Sequence, residues 1–472
     1  MEGTETQLNQ GLIATLREAL IGTHRDFTEG SIGRAIFLLS VPMVLELVLE
    51  SFFGLTNLFY VARVKENATE AMATVGIIES LLAIVFTIGL GLSMAATAIV
   101  ARRTGEKDEE GAAHAAAQAV WLALLTSIPI AVLGIFATPL LMHLMGADPK
   151  VISVGTNYGI IIFGTNVLIM MLFIINACFR GTGDATLAMR SLWMASIINL
   201  ILDPCFIFGL GPFPEWGVTG SAVATTIGRS VGVAYQLWSL VNGRGRLKLR
   251  AEHFTPDFKL MSSMFVLSLG GMFQYFIGTA SWIAMARLIS QFGSAAIAGY
   301  FVALRVIIFA ILPSWGMSNA AATLVGQNLG AGKPDRAEKS VWLAGFSNMI
   351  FLGGIGLIFI VFAEPLVGIF TSEPHVTPIA VECLRIASYG YVFYAWGMVM
   401  VQSFNGAGDT YTPTIINLFC YWLFQIPLAY WLSNHIGMEA RGVFWAIPIA
   451  ESLVAVVGML AFWRGKWREV KV

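Results

Sequence analysis

An aspartate inside an apolar stretch is the residue of this sequence whose setting most suggests chemistry. Residues 191–210 read SLWMASIINLILDPCFIFGL and contain Asp203, followed directly by Pro204. The stretch is long enough to cross a bilayer core of roughly 30 Å, where a charged carboxylate costs about 2.5–3.5 kcal/mol. Asn199 lies one helical turn earlier on the same face. The pattern favours a binding site, and the alternative is a structural aspartate satisfied by a neighbouring helix.

A second group of polar residues lies in the first apolar stretch, VPMVLELVLESFFGLTNLFYV. Glu46, Glu50 and Asn57 follow one another at i, i+4 and i+11, so they share one stripe of a helix. Two ionised carboxylates one turn apart repel each other, which favours a bound proton or cation on at least one of them. The alternative for either glutamate is a hydrogen bond to another helix that only supports packing.

Other intramembrane polar residues are candidates for lining a substrate cavity, and the alternative is a role in pairing or packing between helices. This set comprises Glu46, Tyr158, Asn176, Gln274, Glu451 and Arg305.

The string Gly181-Thr182-Gly183-Asp184 is a GxGD pattern, as in intramembrane aspartyl proteases. The same pattern recurs at residues 406–409, in an equivalent short loop. A loop motif repeated at two helix ends indicates turn and cap chemistry, and protease activity is a remote alternative. The sequence contains no P-loop and no HExxH motif. If the chain transports a solute, we therefore expect an ion gradient, rather than bound ATP or a cofactor, to supply the energy for transport.

The elements that position these residues are membrane helices. Of 472 residues, 57% are hydrophobic and 12% are charged, against roughly 25% charged residues in soluble proteins. The net charge of −1 gives no reason to expect a nucleic-acid partner. Twelve helices are predicted, at 35–62, 73–101, 114–143, 153–179, 187–210, 218–241, 260–288, 295–325, 340–370, 377–405, 411–434 and 442–464.

The polar connection 242–258 divides these helices into two sets of six. The predicted regions are a cytoplasmic segment 1–33, an N-lobe 34–241, a cytoplasmic linker 242–258, a C-lobe 259–464 and a cytoplasmic tail 465–472. With the N-terminus inside, inside segments hold 19 Lys and Arg residues and outside loops hold 5. This distribution predicts that both termini are cytoplasmic.

The two halves repeat at an offset of 225 residues. Gly181, Gly183 and Asp184 match Gly406, Gly408 and Asp409, and clustered matches also join 91–105 to 316–330. Because each half has an even number of helices, both enter from the same side and a pseudo-two-fold axis along the membrane normal is expected.

Several segments together resemble the multidrug and toxic compound extrusion (MATE) transporters over nearly the whole chain. The segments are TEGSIGRAIFLLSVPMVLE at 28–46, RGTGDA at 180–185, INLILDPCFIFGLG at 198–211, GVTGSAVATTIGR at 217–229, ATLVGQNLGAGKPDRA at 322–337 and FNGAGDT at 404–410. The resemblance implies two six-helix lobes that export organic cations against inward H⁺ or Na⁺.

The resemblance also implies a cation site in the N-lobe. Asn199, Asp203 and Thr225 match the family's residues and would hold H⁺ or Na⁺, whereas Asn57 replaces the usual aspartate of the first helix. Glu50, two turns earlier, is the candidate for the missing carboxylate. No acid matches the C-lobe site of another branch, which favours N-lobe coupling.

The resulting prediction is a secondary antiporter, not an enzyme, that exports small organic cations in exchange for H⁺ or Na⁺. We expect a monomer in the plasma membrane. A lipid-linked glycan flippase of the same broad fold is the alternative, and the excess of intramembrane acids over basic residues favours the cation exporter.

Overall fold

The chain is described here by a computed structural model that covers residues 2–22, 25–65 and 67–470. Within these ranges every regular element is helical. The α-helices are α1 (Glu2–Ile21), α2 (Ile32–Val61), α3 (Ala68–Gly105), α4 (Glu109–Leu144), α5 (Pro149–Gly164), α6 (Asn166–Thr182), α7 (Ala185–Phe208), α8 (Gly217–Asn242), α9 (Phe258–Ser290), α10 (Ser294–Gly330), α11 (Pro334–Val361), α12 (Ala363–Gly368), α13 (Thr377–Tyr389), α14 (Tyr391–Ala407), α15 (Tyr411–Asn417), α16 (Ile426–Tyr430) and α17 (Ala440–Trp463). Short 3₁₀ turns cover Ala251–Phe254 and Lys466–Glu469, and π-helical segments cover Leu418–Gln425 and Trp431–His435.

The helices account for the twelve predicted spans. Among the described residues, nine helical segments are long and apolar enough to cross a membrane, and the bent pair α5–α6 makes a tenth. The more polar α8 and the pair α13–α14 occupy the other two predicted spans. The prediction of an all-α membrane protein with twelve transmembrane helices is confirmed.

Two predicted helices are broken near the middle of their spans, and a third, 340–370, is interrupted near its end, between α11 and α12. The span 153–179 bends by 41° between α5 and α6, and the Asn166 side chain donates to the carbonyl of Phe163 over 2.6 Å at the break. The span 377–405 breaks at Gly390, where an added Cβ would lie 2.5 Å from Cβ of Pro448. At both breaks local packing outweighs the apolar pattern, which by itself carries no information on bends.

The helices form two compact units. The N-terminal unit consists of Arg17–Arg25 and Leu45–Ser268, and the C-terminal unit of Met1–Leu16, Asp26–Val44 and Leu269–Val472. Helix α2 therefore contributes its first half to the C-terminal unit. There, Gly316 of α10 comes so close that a Cβ would lie 2.9 Å from the carbonyl of Met43.

In the N-terminal unit, α7 and α8 pack backbone against backbone. An added Cβ on Gly220 would lie 2.3 Å from the carbonyl oxygen of Phe206, and one on Gly228 would lie 2.5 Å from that of Ala195. Small residues spaced four apart on α8 permit this approach, as in other membrane helix pairs. The close contact places Asp203 and Asn199 of α7 beside the polar face of α8.

The two GxGD loops have the same geometry in both units. Gly183 and Gly408 end their helices with φ of 91° and 88°, and the amides of Asp184 and Asp409 donate to carbonyls five residues back over 2.8 and 2.9 Å. This is the Schellman arrangement that favours glycine after a helix. The interpretation of these loops as turns and caps is confirmed.

The linker after α8 is fastened to the N-terminal unit. The backbone amide of Arg246 donates to Asp184 Oδ2 over 2.6 Å. Further along, Gln118 Nε2 donates to the carbonyls of His253 and Thr255 over 3.0 and 2.9 Å, and Trp121 Nε1 donates to that of Phe254 over 2.9 Å.

Candidate functional site

Asp203 lies inside the N-terminal unit, where it is 1% exposed. Asn57 of α2 donates through Nδ2 to Asp203 Oδ2 over 3.2 Å and to Ser221 Oγ of α8 over 2.8 Å. Three helices thus meet at one carboxylate, and the meeting depends on the close packing of α7 against α8.

Asn199 completes this group from one turn before Asp203. When its amide oxygen accepts from Thr225 Oγ1 over 2.9 Å, its amide nitrogen donates to Asp203 Oδ2 over 2.8 Å. This orientation satisfies both halves of the amide, which is the basis on which asparagine side chains are oriented.

The two oxygens of Asp203 differ in their surroundings. Oδ2 receives the amide donors, whereas Oδ1 is buried without a hydrogen-bond partner among the described residues. No basic side chain in the described ranges forms an ion pair with this carboxylate. A buried carboxylate oxygen without a donor is costly, so Oδ1 is suited to hold a proton or a small cation.

The structure therefore brings together Asp203, Asn199, Thr225 and Asn57, as the sequence predicts. Ser221 is a further member that the sequence analysis did not identify. It precedes Thr225 by four residues on the same face of α8, which is the signal that could have found it.

Glu50 and Tyr158 lie elsewhere in the N-terminal unit. Glu50 makes no hydrogen bond to Asp203 within the described ranges; it interacts electrostatically with Glu46 and Arg229. Tyr158 is 6% exposed and lies within electrostatic range of Arg229 and Asp203.

Glu46 belongs to a separate buried network. Its Oε1 accepts from Asn176 Nδ2 and from Arg180 Nη1, both over 3.0 Å. Asn176 Oδ1 in turn accepts from Ser191 Oγ over 2.9 Å and from Gln236 Nε2 over 2.7 Å. The network joins α2, α6, α7 and α8, and Arg180 compensates the charge of Glu46.

The remaining cavity candidates lie in the C-terminal unit. Gln274 pairs with Asn405 through two amide hydrogen bonds of 3.0 and 3.1 Å, so its polar atoms are engaged in packing. Arg305 is exposed on α10. Glu451 is buried on α17, and its Oε2 accepts from the Tyr421 hydroxyl over 3.1 Å.

A group of metal-type ligands lies at the linker, outside these sites. Glu110, Glu252 and His253 approach one another there. Arg250 donates to both glutamates over 3.2 Å, and His253 Nε2 contacts Glu110 Oε2 at 2.7 Å. The carboxylates are already neutralised, so this group is an ion-pair cluster.

A known family profile matches this chain in two segments, one in each half. The profile of the MatE family matches residues 42–205 and 271–431. Similar proteins include the probable multidrug resistance protein YoeA of Bacillus subtilis, 26% identical over 92% of this chain and 95% of its own length. The probable multidrug resistance protein NorM of Thermotoga maritima is 25% identical over 93% and 94%.

Solved structures share the fold at low sequence identity. A crystal structure of MATE in complex with MaL6 has a TM-score of 0.87 at 23% identity and covers 94% of this chain and 99% of its own. A MOP superfamily transporter from Pyrococcus furiosus, described as having a binding pocket of reverse polarity, has a TM-score of 0.86 at 22% identity over 94% and 98%.

Proposed function

Since the chain belongs to the MatE family, we propose that it is a secondary active antiporter that exports small organic cations in exchange for H⁺ or Na⁺. The observation that carries this proposal is the buried carboxylate of Asp203, which has neutral donors at one oxygen and no partner at the other among the described residues. Such a group attracts a cation, and no basic side chain of the described residues pairs with it.

In this proposal Asp203 is the coupling carboxylate, and Asn57, Asn199 and Thr225 orient it. Na⁺ would be bound by Asp203, Asn199 and Thr225 once the Asn199 amide turns its oxygen, rather than its nitrogen, toward Asp203. Side-chain oxygens are the ligands that hard cations prefer. Glu50 is an accessory acid that adds negative charge to the same helical unit. Neither ion requires a further cofactor.

The coupling follows from charge. A bound proton or cation neutralises Asp203, which removes an attraction for a cationic substrate in the same unit. Ion binding and substrate binding are thermodynamically coupled. If the bound ion lowers the affinity for substrate by a given factor, bound substrate lowers the affinity for the ion by the same factor. Alternating access by rocking of the two lobes would then move ion and substrate in opposite directions.

The cellular setting is part of the proposal. We place the chain in the plasma membrane as a monomer, and the Lys and Arg distribution across its loops supports a cytoplasmic position for both termini. The many long apolar helices make the bilayer its environment in any case.

The test is efflux of a fluorescent organic cation from proteoliposomes under separate H⁺ and Na⁺ gradients. We expect Asp203→Asn to lose gradient-driven efflux by roughly tenfold or more, as couplings of this kind are worth 5- to 150-fold. Glu364→Gln, at an exposed acid of α12, is the matched control and should behave as wild type.

Wild-type efflux by Asp203→Asn under both gradients would contradict the proposal. Stimulated uptake of an anionic lipid instead of a cation would favour the flippase alternative.

A further inference from the structure

Arg229 is a charged residue of the N-terminal unit that the proposed ion site does not use. It stands halfway along the 26-residue helix α8, one turn after Thr225. A charged side chain at membrane depth is costly, and such residues almost always face a bundle interior or a water-filled cavity and mark a path for ions or substrates. What balances the charge of this guanidinium is therefore a question about function.

The side of α8 that carries Arg229 is turned toward the rest of the unit. Thr225 and Gln236 share this side and are buried, whereas Ala234 and Trp238 lie on the opposite side of the helix and are exposed. Arg229 itself is only partly buried. Because its neighbours on this side are covered, the accessible part of Arg229 indicates a space between helices rather than the outer surface of α8.

Glu50 of α2 supplies the opposite charge. The Arg229 guanidinium lies within electrostatic range of Glu50 and of Tyr158 on α5. Neither Glu50 nor Arg229 forms a hydrogen bond or a salt bridge within the described ranges of the chain. The two charges thus lie farther apart than a salt bridge allows, in contrast to Glu46 and Arg180, which are in contact at 3.0 Å.

We propose that Glu50 and Arg229 form a binding site for a zwitterion, with the cationic group of the substrate at Glu50 and its carboxylate at Arg229. A carboxylate matches the planar guanidinium and carries the single charge that one arginine balances. Arg229 would repel a simple cation and Glu50 would repel a simple anion. Only a molecule that bears both charges complements both residues.

This site rests on the proposed function and deepens it, because it names the substrate class as organic cations that also bear a carboxylate. Substrate and coupling ion then lie in the same unit. Tyr158 is within electrostatic range of both Arg229 and Asp203, and Thr225, the hydrogen-bond partner of Asn199, lies one turn from Arg229. A proton or Na⁺ on Asp203 would therefore act on the cationic end of a substrate held close to it.

Equilibrium binding to the full-length protein in lipid nanodiscs, without any gradient, tests this site. The probes are tetramethylrhodamine, a zwitterion with a free carboxylate, and its methyl ester, a cation with the same ring system. Fluorescence anisotropy measures the binding of both. We expect Arg229→Gln to weaken tetramethylrhodamine binding by roughly tenfold, the size of a lost hydrogen bond between charged groups, and not to weaken binding of the ester.

Three further variants separate charge from packing. Arg229→Lys keeps the positive charge and should retain more affinity for tetramethylrhodamine than Arg229→Gln does. Glu50→Gln should weaken both probes, because both carry the cationic ring system. Arg287→Gln, at an exposed position in the last turn of α9, is the control and should bind both probes as wild type does.

Tetramethylrhodamine binding by Arg229→Gln that equals wild type would overturn the inference, as would a wild type that binds tetramethylrhodamine no more tightly than the ester. An equal loss of both probes in Arg229→Gln would do so too, because it would show that the arginine only supports the packing of α8. Failure of the proposed coupling appears separately, as gradient-driven efflux by Asp203→Asn that equals wild type.

Discussion

The buried acids of this protein differ in what surrounds them. Among the described residues Asp203 has neutral donors, Glu46 has Arg180 at 3.0 Å, and Glu451 has a tyrosine hydroxyl at 3.1 Å. A neutral donor stabilises a carboxylate without cancelling its charge, whereas an arginine cancels it. The same residue type within an apolar stretch therefore serves as an ion site at Asp203 and as an interhelical tie at Glu46.

Ser221 should matter for coupling because it accepts a hydrogen bond from the amide that also reaches Asp203. In Ser221→Ala, Asn57 loses this 2.8 Å contact and is held less firmly against the carboxylate. We expect gradient-driven efflux to fall by about three- to tenfold, which corresponds to the roughly 1 kcal/mol of a typical hydrogen bond. Ser230→Ala on the same helix, whose hydroxyl donates to the Thr226 carbonyl over 2.7 Å, is the matched control. Equal losses in both variants would contradict the assigned role.

The Glu46–Arg180 pair should contribute to stability rather than to coupling. Glu46→Leu removes the carboxylate that accepts from the Arg180 guanidinium, and removing one member of a buried pair costs about 3–5 kcal/mol. The double variant Glu46→Leu, Arg180→Leu should be more stable than Glu46→Leu, because the buried guanidinium is removed together with its carboxylate. Thermal unfolding of purified protein in detergent measures both variants, and an additive loss would refute this account.

The sequence identified Asp203, Asn199, Thr225 and Asn57 because each is polar where the membrane allows few polar residues. It did not identify Ser221, since serine is common in membrane helices and its role depends on how α8 is rotated about its axis. For the same reason sequence spacing alone could not pair Glu46 with Arg180, which lies at a helix end 134 residues away.

At the scale of elements, the contact between α7 and α8 sets the geometry of the site. Gly228→Ala would place a Cβ 2.5 Å from a backbone carbonyl of α7, where no flexible side chain can move aside. We expect a loss of about 1–3 kcal/mol in stability from this overpacking, together with weakened coupling as Asn199 moves. Thermal unfolding and efflux are the measurements. Gly54→Ala, where no atom lies within 4 Å, should leave both unchanged.

The positions of the helices were predictable because hydrophobic runs and polar turns alternate along the chain. Their irregularities were not. Neither the 41° bend between α5 and α6 nor the π-helical segments follow from the composition of these stretches. Gly164 is the last residue of α5, and Gly390 lies between α13 and α14. Many other glycines lie inside helices, so glycine alone does not predict a break.

At the scale of the whole molecule, the internal repeat predicted two corresponding halves, and the matched GxGD loops have the same geometry in both units. The repeat did not predict that the first half of α2 packs within the C-terminal unit. The 225-residue offset shows which helix of one half corresponds to which helix of the other half. It does not show which helices pack against each other.

The proposed orientation leads to a labelling experiment on intact cells. In a variant without the four native cysteines, Lys248→Cys in the linker should react with a membrane-impermeant maleimide only after the cells are opened. Lys65→Cys in the first loop should react on intact cells. Both side chains are exposed, so a difference in labelling reports the side of the membrane. The reverse labelling pattern would show that the orientation is the opposite of the one proposed.

The hydrogen bonds of the linker affect where proteases can cleave the chain. Proteases cut most readily at exposed loops, where the chain can unfold locally into the enzyme's cleft. Here the backbone of residues 246 and 253–255 is hydrogen-bonded to Asp184, Gln118 and Trp121. Digestion with trypsin should therefore spare the peptide bond after Arg246 for as long as its contacts with Asp184 and Thr182 remain, whereas the exposed Lys248 in the same linker should be cut.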